Sequence, residues 1–234
     1  TVMYKENGIT FKREYFMSYP DNVMVMRLTS DSKKGKLSRI ISLESLHTDK
    51  TITADGHTIT MTGYPTPVSG DKRVGDAWKN GLIYAQQLVV KNKGGKISVV
   101  DGTKLKVEDA DEIIVLMSAA TNYVQCMDDS YNYFSQEDPL EKVQATLHKV
   151  ADKKYTALLA THQKDYHSLY DRMRLNLGNL PEAPVAPTDS LLKGMDENTN
   201  SEQENQYLEM LYFQFGRYLL ISSSREGSLP ANLQ

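Results

Sequence analysis

Fold class follows from residues 81–119, GLIYAQQLVVKNKGGKISVVDGTKLKVEDADEIIVLMSA. Apolar and β-branched runs alternate there with turn-forming residues, which predicts strands over residues 81–90, 96–100 and 112–119. Asp-Gly is a favoured hairpin loop because it tolerates positive φ, so we expect a hairpin at Asp101-Gly102. We also interpret Lys93-Gly94-Gly95-Lys96 as a hairpin turn, since no helix or Lys-Ser/Thr pair follows it as in a phosphate-binding loop. Short strands at this even spacing favour an antiparallel β-sandwich over a parallel sheet with crossover helices.

The same β pattern extends upstream to the first residues. Residues 10–19 and 23–29 predict two strands joined by a turn at 19–22, YPDN, where Pro fixes φ and Asp and Asn tolerate tight conformations. The strand at 23–29 is apolar on both faces, as expected inside a sandwich. Residues 37–43 continue the alternation except at Arg39, and Asp55-Gly56 predicts a second hairpin. We therefore expect β-structure from residue 1 to about residue 125.

The hydrophobic period changes near residue 137. Asp138 can cap a helix and Pro139 can occupy its first position, and apolar residues then recur at helical spacing. A second helical pattern covers residues 153–172. Prolines at 181, 184 and 187 cannot continue a helix and predict an extended connector.

The last element has the clearest pattern. Ser201 and Glu204 form a Ser-x-x-Glu capping box, which predicts a helix over about residues 202–222. This helix is apolar on more than one side, so we expect it to lie between other elements. We expect those covering elements to lie outside the 234 residues.

Composition excludes several classes of protein. The chain has 234 residues, of which 40% are hydrophobic and 24% charged, which suits a buried core rather than a disordered tail. Its net charge of −3 and its lack of a basic stripe argue against a nucleic-acid partner. The longest apolar run has five residues, 113–117, against the about 20 that span a bilayer, so we expect no membrane partner. Cys126 is the single cysteine and cannot form an intrachain disulfide.

We expect neither a metal nor a cofactor. The histidines are scattered, and His162 and His167 are five residues apart, which does not place two imidazoles on one helical face. Asp128-Asp129 and Asn132 lack the central Gly and distal Glu of a calcium-binding loop.

Two groups of residues are candidates for a role in binding or in fixing a loop. Arg225-Glu226 follows the last predicted helix, where charged residues can line a cleft or lock a loop, and we favour a structural ion pair. Five aromatic residues could stack on a sugar ring, although core packing is the favoured role for each. They are Tyr64, Trp78, Tyr131, Tyr133 and Phe134.

The final segment resembles a known family. Residues 215–225, FGRYLLISSSR, and 229–234, LPANLQ, are similar to the opening of the helical barrel in glycoside hydrolase family 95, which comprises α-L-fucosidases and some α-L-galactosidases. Three other stretches resemble the same family in order. They are residues 13–22 (REYF, then SYPDN from 18), 116–123 (LMSAATNY), and 162–177 with Asp165-Tyr166-His167.

This resemblance implies a mainly β, then α architecture. An antiparallel super-sandwich would be followed by linker helices, an (α/α)6 barrel that carries the active site, and a smaller β-domain. Residues 1–136 would be the later part of the sandwich, and residues 137–187 a helical linker with a short strand and the Pro-rich connector. Residues 188–234 would begin the barrel with its first helix. The chain then reads as a fragment cut at both ends.

The resemblance also implies an inverting mechanism, in which a Glu is the general acid and an Asn, polarised by an Asp, positions the attacking water. We expect those residues beyond Gln234, because the chain contains no His-x-Asn-x-Asn motif, so no catalytic residue is assigned here. The loop after the last helix would lead into the substrate pocket. Arg225, Asn232 and Gln234 are therefore candidates for supporting roles near the substrate.

The implied activity of the parent protein is removal of terminal α-1,2-linked L-fucose from galactose-containing glycans, with the 234-residue chain inactive alone. An α-L-galactosidase and a non-catalytic carbohydrate-binding or scaffold module remain open alternatives. The expected partners are a fucosylated glycan and the remainder of the same polypeptide. By resemblance, the expected location is periplasmic or extracellular.

Overall fold

A computed structural model describes residues 1–32, 37–65, 81–124, 133–178 and 186–231. The strands in these residues are β1 (Val2–Glu6), β2 (Ile9–Ser18), β3 (Val23–Ser30), β4 (Leu37–Ile41), β5 (Lys50–Asp55), β6 (Thr58–Gly63), β7 (Tyr84–Lys93), β8 (Lys96–Val100), β9 (Lys104–Ala110) and β10 (Glu112–Thr121). The helices are α1 (Pro139–Val150), α2 (Tyr155–Tyr170), α3 (Thr188–Asp196) and α4 (Glu202–Ser223).

The strands form two antiparallel sheets. The larger sheet has the order β1-β2-β3-β10-β7-β6-β5, and the smaller has the order β4-β9-β8. Leu37, Leu105 and Val107 of the small sheet share one buried cluster with Ile59 and Val90 of the large sheet. The predicted antiparallel sandwich followed by helices is confirmed.

The other face of the large sheet is covered by helices. Val143 and Leu147 of α1 and Leu158 of α2 pack in a second buried cluster with Val23 and Val25 of β3. The alternate residues of β3 face the first cluster, which explains why this strand is apolar on both sides. Within residues 1–162, the large sheet is therefore a central layer between the small sheet on one face and α1 with the first part of α2 on the other.

Both Asp-Gly hairpins are present, but neither has a two-residue loop made of Asp and Gly alone. Asp55 pairs with Thr58, so the loop between β5 and β6 is residues 56–57, and Gly56 has φ 53°. Between β8 and β9 the loop has three residues, with φ 53° at Asp101 and 65° at Gly102. Positive φ is the conformation for which Asp and Gly are selected at such turns.

The hairpin expected at residues 93–96 is wrong. β7 belongs to the large sheet and β8 to the small one, so the turn carries the chain between sheets. Gly94 and Gly95 have φ 69° and 65°, and a Cβ at Gly95 would overlap the carbonyl oxygen of Glu108 in β9. Local turn chemistry was predicted correctly, but the pairing of the flanking strands depends on residues far along the chain.

Arg39 marks a real irregularity in β4. The pairing register between β4 and β9 shifts between Leu37 and Arg39. The Arg39 side chain lies over the ring of Phe11, 5.4 Å from its centroid, and donates a 3.3 Å hydrogen bond to the hydroxyl of Tyr4. The break in apolar alternation thus accompanies a β-bulge.

Helix starts follow the predicted capping residues. The Asp138 carboxylate accepts a 2.8 Å hydrogen bond from the backbone N–H of Leu140 at the start of α1. At the start of α4 the Ser201 hydroxyl accepts from the N–H of Glu204, and the Glu204 carboxylate accepts from the N–H of Ser201 at 2.7 Å. The predicted helices over 153–172 and 202–222 correspond to α2 and α4.

The sequence pattern missed α3. This helix starts directly after Pro187 and buries Leu191 and Gly194. The amide of Asn200 donates to the carbonyl oxygen of Leu191 at 2.7 Å and to the side-chain oxygen of Asn205 in α4 at 3.1 Å. Nine residues with two buried positions give too weak a periodicity to predict.

The chain groups into two compact units, residues 1–162 and 163–234. The division falls within α2, so the predicted boundaries at 136/137 and 187/188 stay predictions. Within the predicted linker, the described residues 137–178 and 186–187 contain helices and no strand. Residues 179–185, with Pro181 and Pro184, lie outside the described residues.

Candidate functional site

Arg225 is held at the end of α4 by a carboxylate from α2. Its two terminal guanidinium nitrogens donate to the two oxygens of Asp165 at 3.2 and 2.8 Å, and its Nε donates to the carbonyl oxygen of Ile221 at 2.7 Å. The two side chains are 14% and 20% exposed. A planar guanidinium matches a carboxylate in this two-pronged geometry, which fixes the orientation of both groups.

The loop that follows is closed on itself. The N–H of Arg225 donates to the Ser228 hydroxyl at 2.8 Å, and the N–H of Ser228 donates to the carbonyl oxygen of Arg225 at 2.9 Å. The Ser224 hydroxyl donates to the carbonyl oxygen of Leu229 at 3.1 Å. Together with the Asp165 contact, these bonds give residues 224–229 a defined path.

A second arginine, about two helical turns earlier in α4, also contacts α2. Arg217 donates to the carbonyl oxygen of Tyr170 at 2.6 Å and lies over the Tyr170 ring, 4.6 Å from its centroid. Tyr166 stacks on Tyr170 at 5.3 Å and contacts the ring of Tyr218 at 6.3 Å. Burial, followed by the neighbouring Tyr170 hydroxyl, raises the pKa of Tyr166. Tyr166 is therefore a neutral packing group at physiological pH.

Much of α4 is apolar and exposed. Tyr212 is 80% exposed, Phe215 54% and Leu220 58%, whereas Leu208 is buried. A contiguous apolar helix face of this kind normally contacts another protein surface. The expectation that α4 lies between elements outside the 234 residues stays a prediction.

The three residues proposed to support a substrate site differ in what the structure shows. Arg225 makes a structural ion pair, but its partner is Asp165, 60 positions earlier, rather than the adjacent Glu226. Asn232 and Gln234 lie outside the described residues. No local pattern in the sequence could have identified Asp165 as the partner.

The five aromatic residues considered for sugar stacking also differ in how exposed they are and in whether the structure describes them. Tyr64 is 45% exposed, so core packing is wrong for it. Tyr133 is 46% exposed and stacks on Tyr123 with ring centroids 6.4 Å apart. Phe134 packs against Gly81. Trp78 and Tyr131 lie outside the described residues, as do Cys126, Asp128-Asp129 and Asn132.

Two of the motifs that carry the family resemblance contain side chains that hydrogen-bond to distant segments of the chain. The buried Asp21 carboxylate accepts from the Ser18 hydroxyl at 2.7 Å and from the Lys153 ammonium at 2.6 Å. The Asn122 amide donates to the carbonyl oxygen of Gly81 at 2.7 Å and accepts from the N–H of Ile83 at 2.9 Å. Both side chains join segments distant in sequence.

Within the described ranges, no group of three or more His, Cys, Asp or Glu side chains could hold a metal ion. No helix in this part of the chain is long and apolar enough to cross a membrane.

Comparison with known families agrees with this architecture. Residues 1–126 match the model of the glycosyl hydrolase family 65 N-terminal domain, and residues 154–234 match that of the glycosyl hydrolase family 95 catalytic domain. The sandwich and the helices after it are thus those of a glycoside hydrolase.

Two relatives are similar to nearly the whole chain, and both are named as fucosidases. "Probable alpha-fucosidase A" of Aspergillus niger is 33% identical over 95% of this chain and 27% of its own length. "Alpha-L-fucosidase 2" of Arabidopsis thaliana is 34% identical over 100% of this chain and 28% of its own length. With the catalytic-domain match, these relatives are consistent with this chain being part of a glycoside hydrolase family 95 protein. The chain spans little more than a quarter of the length of these relatives.

Proposed function

We propose that the protein carrying residues 1–234 hydrolyses terminal α-1,2-linked L-fucose from galactose-containing glycans. The observation that carries the proposal is the similarity to two proteins named as alpha-fucosidases along nearly the full chain. A fucosylated glycan is then the substrate, and the remaining polypeptide is the partner of residues 1–234.

In this proposal the described residues contribute scaffold rather than catalysis. Within residues 163–234, the Arg225–Asp165 pair fixes the loop at residues 224–229 that leads onward. The general acid Glu, the Asn and its Asp belong to the polypeptide beyond Gln234, and the hydrolysis inverts the anomeric configuration. Residues 1–234 alone are then inactive. Arg225, Asn232 and Gln234 remain proposed supporting residues.

The exposed face of α4 supports this division of roles. Tyr212, Phe215 and Leu220 are apolar or aromatic and lie mostly in solvent. Downstream helices of the catalytic domain would cover them, because burial of such side chains contributes about 1.5–3 kcal/mol each. We also propose export to the periplasm or the outside of the cell, where fucosylated glycans are accessible.

A test uses the full-length protein with two substrates, 2′-fucosyllactose and an aryl α-L-galactoside. Release of fucose at a kcat/KM at least about tenfold above that for the galactoside supports the proposal, and the reverse order supports an α-L-galactosidase. Proton NMR of the first product decides the stereochemistry, because inversion releases β-L-fucose. Lactose or glycan binding without hydrolysis of either substrate would favour the non-catalytic binding module.

A further inference from the structure

A cavity of about 550 Å³ lies within residues 1–162, between the β5–β6–β7 side of the large sheet and the start of α1. Its walls include Asp49, Lys50, Tyr64, Ile83, Tyr84 and Asp138. Small-molecule sites typically have volumes of about 300–1,000 Å³, so this cavity could hold a ligand the size of one or two sugar rings.

The Tyr84 hydroxyl supplies an unused polar group in this wall. The hydroxyl oxygen is buried and has no hydrogen-bond partner among the described residues. The lack of a side chain at Gly63 in the paired strand allows the Tyr84 hydroxyl to lie there, since a Cβ at Gly63 would come within 2.8 Å of the Tyr84 oxygen and would overlap the Asp49 carbonyl. A buried hydroxyl without a partner is costly, and a ligand oxygen could remove that cost.

Tyr64 supplies an aromatic face at the same cavity. Its side chain is 45% exposed, although its backbone is fixed by a 2.9 Å hydrogen bond from its N–H to the carbonyl oxygen of Asp49. A tyrosine ring offers a rigid apolar surface with a polar tip, which allows stacking against the C–H face of a pyranose. The backbone of Tyr64 is therefore held beside the cavity, and its ring is accessible to a ligand.

The cavity is lined by charged groups of both signs, and some of them already make hydrogen bonds within the protein. The Lys50 ammonium donates to the carbonyl oxygens of Ser45 and His47 at 2.9 and 2.8 Å. One oxygen of Asp138 caps α1, and Asp49 adds a second carboxylate. Such a set offers donors and acceptors without an excess of positive charge, which suits a neutral polyhydroxylated ligand better than an anion.

We propose that this cavity binds one or two neutral pyranose residues of a glycan, with Tyr64 stacking on a ring and the Tyr84 hydroxyl hydrogen-bonding to it. The site goes beyond the proposed hydrolysis, because binding here requires no catalytic residue. Lactose is a suitable probe, since it contains galactose and carries no fucosyl bond.

The test is a saturation-transfer NMR titration of lactose with the full-length protein. Tyr64→Ala is expected to raise the lactose Kd about tenfold, and Tyr84→Phe about threefold. Tyr15→Ala is the matched control, because Tyr15 is also 45% exposed but lies in β2, four strands from β6 in the sheet. Its lactose Kd is expected to stay within about twofold of the parent value.

Thermal unfolding separates a binding role from a structural one. Tyr84→Phe removes a buried hydroxyl that has no described partner, so its Tm is expected to be unchanged or higher while its lactose affinity falls. A lower Tm with unchanged lactose affinity in this variant would overturn the proposal. Lactose affinity unchanged in both tyrosine variants, or no lactose binding up to about 20 mM, would also overturn it. Fucose release from 2′-fucosyllactose is measured in parallel, so failure of hydrolysis is recorded independently of lactose binding.

Discussion

Replacement of Arg225 and Asp165, singly and together, tests whether their ion pair fixes the loop after α4. Arg225→Lys keeps the positive charge but loses the two-pronged contact and the bond to the carbonyl oxygen of Ile221. Asp165→Asn keeps the shape of the acceptor but removes its charge. Both changes leave the surrounding packing intact, so their effects report the pair itself.

The size of the effect follows from the burial of the pair. The two side chains are 14% and 20% exposed, so solvent screens them less than a surface ion pair. Hydrogen bonds to charged groups contribute about 1.5–3 kcal/mol, so each single variant is expected to destabilise the loop by about 2 kcal/mol. The double variant is expected to cost about 2.5 kcal/mol, a coupling of about 1.5 kcal/mol.

Hydrogen–deuterium exchange of the full-length protein measures this locally. The N–H groups of Arg225 and Ser228 are hydrogen-bonded within the loop and report its opening. A loss of about 2 kcal/mol corresponds to exchange about 30-fold faster at these amides. The Lys193–Glu197 pair is the control, because its side chains are 74% and 54% exposed and its coupling should stay below about 0.5 kcal/mol. A coupling for Arg225 and Asp165 no larger than that of the control would refute the reasoning.

Three further predictions concern the sandwich and the helices. Gly95→Ala is expected to lower the free energy of unfolding by more than about 3 kcal/mol, because its Cβ would overlap a β9 carbonyl oxygen. Gly102→Ala has the same φ of 65° and no atom within 4 Å of the added Cβ, so it should cost about 1 kcal/mol. Similar denaturant midpoints for the two variants would contradict this. Leu158→Ala should lose about 2–5 kcal/mol because Leu158 is 1% exposed, and Leu192→Ala, at a site 55% exposed, should lose under about 0.5 kcal/mol by the same urea titration. Burial raises the pKa of Glu14, but two cations at 2.7 and 3.3 Å outweigh it and hold that pKa below the ordinary 4.5. The ionised form therefore stabilises the fold above about pH 4.5, and this contribution is lost on further acidification. The Tm difference between the parent protein and Glu14→Gln should shrink at low pH. A Tm difference that stays constant with pH would disprove a stabilising role for the ionised Glu14.

Local signals predicted most of the secondary structure. Asp138 with Pro139 and Ser201 with Glu204 define helix starts through bonds within three residues, so no distant contact is needed to predict them. The two Asp-Gly hairpins follow for the same reason, because positive φ at a turn is a property of the residues themselves. The family resemblance added the class of protein, and the comparisons confirmed it.

The candidate sites could not be predicted in the same way. Asp165 meets Arg225 across 60 positions, and nothing in either local sequence identifies the other residue. Tyr64 was named as an aromatic that could stack on a sugar, but Tyr84 and Gly63 beside it were not, because their proximity depends on the pairing of β6 with β7.

The sequence by itself determined which segments become strands and helices, and the residues at which most of them begin and turn. Those choices depend on backbone conformation, capping and apolar period, all of which act over a few residues. Tertiary structure alone decided that the glycine turn after β7 crosses between sheets, that Arg225 pairs with Asp165, and that Tyr64 and Tyr84 share one cavity. Each of these depends on contacts between residues far apart in the chain, whose free energy is realised only when the layers pack together.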